Sequence, residues 1–207
     1  MNTDIHRKIF LEWRGAVLKD LELKEHFEAA IKKALTEYDT SIYENRFVVG
    51  GIIEYLVLAA INGSGIARGR HMGGASMRAD ICIESYHGRP CSENFSIKYS
   101  SSGAVRMVNV LGKSRAAAWN EPTLFVLPES GVIYADEAYI SKKAIRRTAD
   151  AIEIARKAIL LHARKNPSMV LQVKIPLKRE LKVEQTGKTA SEDLARAMIR
   201  GFPRLVL

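Results

Sequence analysis

The chain has 207 residues, 47% of them hydrophobic, which is enough for one substantial domain with a buried core and excludes a disordered chain. Its 32 Lys and Arg against 23 Asp and Glu leave a formal net charge of +9, which points to a polyanionic partner, nucleic acid first. The two cysteines, Cys82 and Cys91, leave no disulfide framework and no four-cysteine zinc site, so a reducing, cytoplasmic location is expected. The opening MNTDIHRKIFLEW mixes charges without a long apolar run, so no signal peptide is expected there.

In chain order, residues 5–38 read as helix. Leu18, Leu21, Phe27, Ile31 and Leu35 recur at helical intervals among charges, with a break expected near Leu23. After a polar connection at 39–45, residues 48–60 predict a more buried helix with Ile52, Ile53, Leu56, Val57 and Ala60 on its apolar side, ended by Gly63, Gly65 and Gly69. The apolar stretch 52–61 is expected to be too short to span a membrane, and it contains Glu54. The glycine-rich GSGIARGRHMGGASM then reads as a loop.

Three period-two runs follow. RADICIES sets Ile81 and Ile83 against Asp80, Cys82 and Glu84; NFSIKYS sets Phe95, Ile97 and Tyr99 against Ser96 and Lys98; AVRMVNVL sets Val105, Met107 and Asn109 against Arg106, Val108 and Val110. Being close in sequence, they predict an antiparallel meander. TLFVL and GVIYADEAYI are shorter strand candidates. Residues 141–165 read as one long helix, with Ile145, Ala149, Ile152, Ala155, Ile159 and Leu160 inward and basic residues outward. MVLQVKIP reads as a strand ended by Pro176, RELKVEQT as a further candidate, and 190–200 as a short terminal helix. The sum is a single α/β domain with a mixed central β-sheet flanked by helices.

Three polar residues interrupt this apolar patterning. Lys98 lies on a strand, Asp80 lies on the matching face of the preceding strand, and Glu54 sits inside the apolar run GGIIEYLVLAAI. A partly buried charge is costly unless it is paired or functional. A self-satisfied ion pair is one outcome. The other is phosphodiester chemistry, in which carboxylates hold Mg²⁺ through oxygen and a lysine orients the attacking water and adds positive charge.

The order of helix glutamate, strand aspartate, hairpin and then I-K in the next strand resembles the PD-(D/E)XK nuclease superfamily, in particular small type II restriction endonucleases. The resemblance lies in ENRFVVGGIIEYL, MRADICIE and NFSIKYSSSGAVRMVNVLG, within residues 44–112. It implies a restriction-endonuclease-like core over 46–112, with a helical region before it (1–45) and sheet completion and helices after it (113–207). It also implies catalytic Glu54, Asp80 and Lys98, with Mg²⁺ held by Asp80, Glu54 and the backbone carbonyl of Ile97. Two departures from the pattern stand out: Ala79 precedes the aspartate instead of proline, and Ser96 occupies the position that is usually acidic. Glu84, about 13 Å along the strand from Asp80 by strand rise, is too distant to share its ion. Glu93 is expected to be solvated.

Residues 63–115 carry eight Lys or Arg against three acidic residues, which suggests a DNA-facing surface. The candidates there are Arg68, Arg70, Arg78, Ser100, Ser101, Ser102, Arg106, Asn109, Lys113 and Arg115, the hydroxyls suiting phosphate and Arg and Asn suiting base edges. His71 counts among the bases only if protonated. Tyr43, Phe47 and Met72 are expected to pack in the core or at its rim. The expected function is a Mg²⁺-dependent endonuclease of double-stranded DNA, a sequence-specific type II restriction enzyme acting as a homodimer on a palindrome. The alternatives are a structure-specific or phage-type DNA endonuclease and a non-catalytic DNA-binding protein on a nuclease-like core.

Overall fold

A computed structural model describes residues 3–40, 43–73, 79–101, 103–108, 119, 121–148, 151–177 and 191–207. The helical N-terminal region breaks at Asp20, slightly earlier than the sequence suggests. Helix α1 (Thr3–Lys19) ends there, and α2 (Leu21–Glu37) begins with the Asp20 carboxylate accepting the Leu23 N–H at 2.9 Å. That cap satisfies one of the amides a helix start leaves without a partner. Helix α3 (Tyr43–Gly63) is longer than the expected 48–60. By length and composition alone its 45–63 window could cross a bilayer, but half of that window is buried inside the fold, as a core helix requires.

Strands β1 (Ala67–His71), β2 (Ile81–Tyr86), β3 (Arg89–Tyr99), β5 (Thr123–Leu127), β6 (Gly131–Ala135) and β9 (Val170–Leu171) form a mixed six-stranded sheet in the order β1-β2-β3-β5-β6-β9. Among the described residues, only the β3–β5 pairing of this sheet is parallel. Strands β4 (Ala104–Val108), β7 (Ile145–Arg147) and β8 (Ala151–Ala155) form a separate three-stranded sheet in the order β4-β8-β7. Helix α4 (Arg156–Lys165) follows β8, and α5 (Ser191–Ile199) lies near the C-terminus.

Three expectations fail because a distant partner overrides local pattern, and a fourth is met only in part. The glycine-rich loop contains β1: Asn62 of α3 accepts from Gly69 N–H at 2.9 Å and donates to Gly69 O at 3.3 Å, which occupies the edge backbone. The meander stops at β3, since β4 leaves for the second sheet and pairs with β8. The long helix at 141–165 is a short 3₁₀ turn, then β7, β8 and α4. The inward Ile152 and Ile154 alternate with half-buried Glu153, so a strand serves their side chains as well as a helix would. Of MVLQVKIP only Val170–Leu171 joins the sheet, and RELKVEQT lies outside the described residues.

Alternation along the central strands divides the core in two. Leu124, Val126, Val132 and Tyr134 face the helices α1, α2 and α3, whereas Phe125, Leu127, Ile133 and Ala135 face the second sheet and α4. Helix α3 supplies Ile52, Ile53, Leu56 and Val57 to the first core, all fully buried. Leu56→Ala is therefore expected to lower unfolding free energy by about 2–5 kcal/mol in urea titrations, the range for deleting a packed aliphatic side chain. A loss below about 1 kcal/mol would mean that α3 is not central to the core.

Candidate active site

The site begins with a mismatch in strand length. Strand β2 starts at Ile81, paired with Phe95, so β3 runs on through Ile97 and Lys98 with no β2 residue beside it. On its other side β3 pairs with β5, and Ser96 N–H donates to Pro122 O at 2.9 Å. Successive residues of a strand turn their backbone groups to opposite sides, so the N–H and C=O of Ile97 face the gap beyond β2. Asp80 fills that gap. Its own backbone is tied on both sides, with its N–H donating to Phe95 O (3.1 Å) and its C=O accepting from Met72 N–H (2.9 Å). Its Oδ2 then accepts the Ile97 N–H at 2.6 Å and the Lys98 ammonium at 2.7 Å. Oδ1 engages none of the described residues.

Lys98 and Ser96 are in register with Phe125 and Thr123, so all four point to the face covered by the second sheet. That cover ends between the two strands. Phe125 and Thr123 are fully buried, Thr123 against Met107 of β4 and both against Trp119. Lys98 keeps 25% of its side chain exposed, Asp80 keeps 20%, and Arg70 on β1 keeps 58%. The result is a step: a face of β1–β3 that is exposed at Arg70, partly exposed at Asp80 and Lys98 and closed at Cys82, beside a wall that starts at β4. A groove of about 910 Å³ between α2 and residues 170–176 includes none of these residues. An extended polyanion is met by a surface rather than a cavity, so the step is the better candidate.

Glu54 approaches from α3. Its Oε2 lies 2.9 Å from His71 Nε2, and Oε1 engages none of the described residues. Burial raises the Glu54 carboxyl above its ordinary value of 4.5; the charge of Asp80 adds to this, while the His71 hydrogen bond and the charge of Lys98 oppose it. Glu54 thus stands in the field of both Asp80 and Lys98, although its direct partner is His71. Sequence reasoning missed His71 in this role, because the contact depends on pairing β1 beside α3.

The residues present suit Mg²⁺. No three His, Cys, Asp or Glu side chains converge among the described residues. However, Mg²⁺ is ordinarily held by one or two carboxylates with water and substrate phosphate completing its shell. Asp80 Oδ1, Glu54 Oε1 and the carbonyl of Ile97 would hold it.

The other candidates are dispersed. Arg68 and Arg70 are exposed on β1, and Arg70 pairs with Glu84 at 2.6 Å. Ser100 and Ser101 are half-buried after β3, and Arg106 is exposed on β4, in register with Glu153. Arg78, Ser102, Asn109, Lys113 and Arg115 lie outside the described residues. Glu93, expected to be solvated, meets buried His6 at 3.0 Å with 24% of its side chain exposed. Phe47, expected to pack, is 65% exposed at the start of α3, and Met72 is half-buried.

Compared with known protein families, characterised proteins and solved structures, the chain gives no match.

A carboxyl raised in the fold keeps its proton longer folded than unfolded. Its contribution to stability is therefore complete below the unfolded value and is lost as pH rises through the folded one. Glu54→Gln removes the charge and keeps an acceptor for His71. In EDTA, the variant's stability relative to wild type is expected to rise as pH climbs from about 4.5 and to level off above the folded value. Parallel urea midpoints for the two proteins from pH 4 to 8 would contradict this, the interval bracketing the carboxylate range.

Proposed function

We propose that the chain is a Mg²⁺-dependent endonuclease of double-stranded DNA with a restriction-endonuclease-like core, sequence-specific and acting as a homodimer on palindromic sites. The observation that carries this reading is the Asp80–Lys98–Ile97 arrangement beside the start of β2, with Asp80 and Lys98 partly exposed and within the field of Glu54. The strand aspartate and next-strand lysine are in direct contact at 2.7 Å, and their charges reach the helix glutamate, which supports a shared role for the three.

In this reading the scissile phosphate lies at the step, its backbone running over the face of β1–β3 toward β4. Arg68 and Arg70 are exposed along that path and suit phosphate oxygens, whereas Arg106 projects from the outer face of β4, opposite the buried Val105 and Met107. Mg²⁺ bound there supplies Lewis acidity to the phosphate and lowers the pKa of water in its shell. Lys98 adds positive charge beside the phosphate and orients the attacking water by hydrogen bonding. Asp80 fixes the Lys98 ammonium and is itself fixed by the Ile97 N–H, so the group is placed before substrate arrives. Glu54 provides the second carboxylate, which Ser96 cannot.

Ser96 also supports a second reading, a non-catalytic DNA-binding protein on the same core. The two separate in one assay. A long duplex incubated with Mg²⁺ is expected to yield discrete bands that vanish in EDTA, and Lys98→Ala is expected to slow cutting by about 10²–10⁴-fold with duplex binding retained. Smears, or cutting only at junctions, would favour a structure-specific enzyme. No cutting of varied DNA with binding intact would rule out the nuclease reading.

A further inference from the structure

His71 is held on three sides. Its Nδ1 accepts the Gly73 N–H at 3.0 Å, so the neutral ring carries its proton on Nε2. That proton points at Glu54 Oε2, 2.9 Å away. One ring face stacks on Tyr55, with centroids 4.0 Å apart and planes inclined by 18°. Tyr55 adjoins Glu54 on α3, so the same helical turn supplies the stacking partner and the acceptor. The His71 backbone is meanwhile fixed in β1 opposite Ile81, the residue after Asp80. Both ring nitrogens are used, the side chain is only 13% exposed, and the ring has no freedom to serve as a phosphate contact.

We infer that His71 is a positioning residue that holds Glu54 Oε2 so that Oε1 stays available to a divalent cation shared with Asp80. This rests on the nuclease reading above. A glutamate has three side-chain torsions, and without a fixed donor its carboxylate can swing toward the Lys98 ammonium, whose attraction it already feels. Closing that pair would spend Lys98 on Glu54 and remove a ligand oxygen. The His71 donor counters this by occupying one oxygen and fixing the plane of the other. Groups that orient metal-binding carboxylates typically alter metal affinity by about 10–100-fold when removed.

The test reads Mn²⁺ binding by electron paramagnetic resonance in the absence of DNA. His71→Phe keeps a ring against Tyr55 but donates nothing, while His71→Gln restores an N–H donor. His71→Phe is expected to weaken Mn²⁺ binding by about 10–100-fold and His71→Gln to recover most of that loss. In a Glu54→Gln background, His71→Phe is expected to add little, because its effect passes through Glu54. If His71→Phe does not fold, as judged by circular dichroism, His71→Ala replaces it. Wild-type affinity in the donor-less variant, an equal loss in the Glu54→Gln background, or no Mn²⁺ binding by wild type would each overturn the inference. Duplex cleavage is scored separately. A wild type that binds Mn²⁺ and responds to His71 but never cuts DNA removes the nuclease reading alone. A wild type that cuts DNA, with His71→Phe binding Mn²⁺ normally, removes the positioning role alone.

Discussion

The candidate site depends on one unfinished piece of backbone pairing. Strand β3 extends past the start of β2, and the N–H of Ile97 would be left without a partner if Asp80 did not turn its carboxylate into the gap. A partly buried amide without an acceptor costs about 1–3 kcal/mol, so the position selects a short acceptor side chain. An aspartate there becomes a charged group at a sheet end, and Lys98, one residue beyond Ile97, is placed to neutralise it. The hydrogen bond that closes the sheet therefore also creates the polar site. This contact suffices for structure alone, which is why chemistry must be tested separately from fold.

The second constraint is where the cover stops. The strands β5 and β6 are packed on both faces, and their residues are buried without interruption, as a central two-sided strand demands. The second sheet covers β5 through Met107, with Trp119 packed beside it, while Lys98 on β3 keeps 25% of its side chain exposed. Had the meander expected from sequence been completed, with β4 pairing beside β3, the parallel β3–β5 ladder could not exist and Lys98 would have a different neighbour. By leaving the sheet, β4 lets β5 form the core and becomes the wall of the step.

What was legible in the sequence follows from the range of the interaction. Glu54, Asp80 and Lys98 stood out because each broke an apolar pattern set by its own neighbours, and patterns of period two and 3.6 are local. The fold class was readable for the same reason: α2, α3, β2, β3, β5 and β6 each carry their own signal. His71 was not readable. Its environment requires β1 to lie along β2 while α3 lies across it, and nothing near residue 71 reports either. Residues 141–165 misled because isoleucines and alanines recurred at helical intervals by coincidence. The register of β8 with β4 shows that Ile152 and Ile154 instead share one face of a strand.

Ser96 takes a different meaning once charges are counted in the proposed nuclease site. Two carboxylates, Glu54 and Asp80, already stand near a single lysine there, and Asp80 holds its ammonium at 2.7 Å. Burial already raises the Glu54 carboxyl, and Asp80 contributes to that rise. A third carboxylate at position 96 would lie on the Lys98 face of β3, add repulsion to both, and drive one of the acids toward its neutral form. Serine avoids that cost in the metal-free protein. The accompanying loss is a weaker grip on the cation, since affinity for hard cations rises with the charge of the ligands. Under the proposed reading the chain therefore depends more on Glu54, and on whatever fixes it, than a site with a full acidic set would.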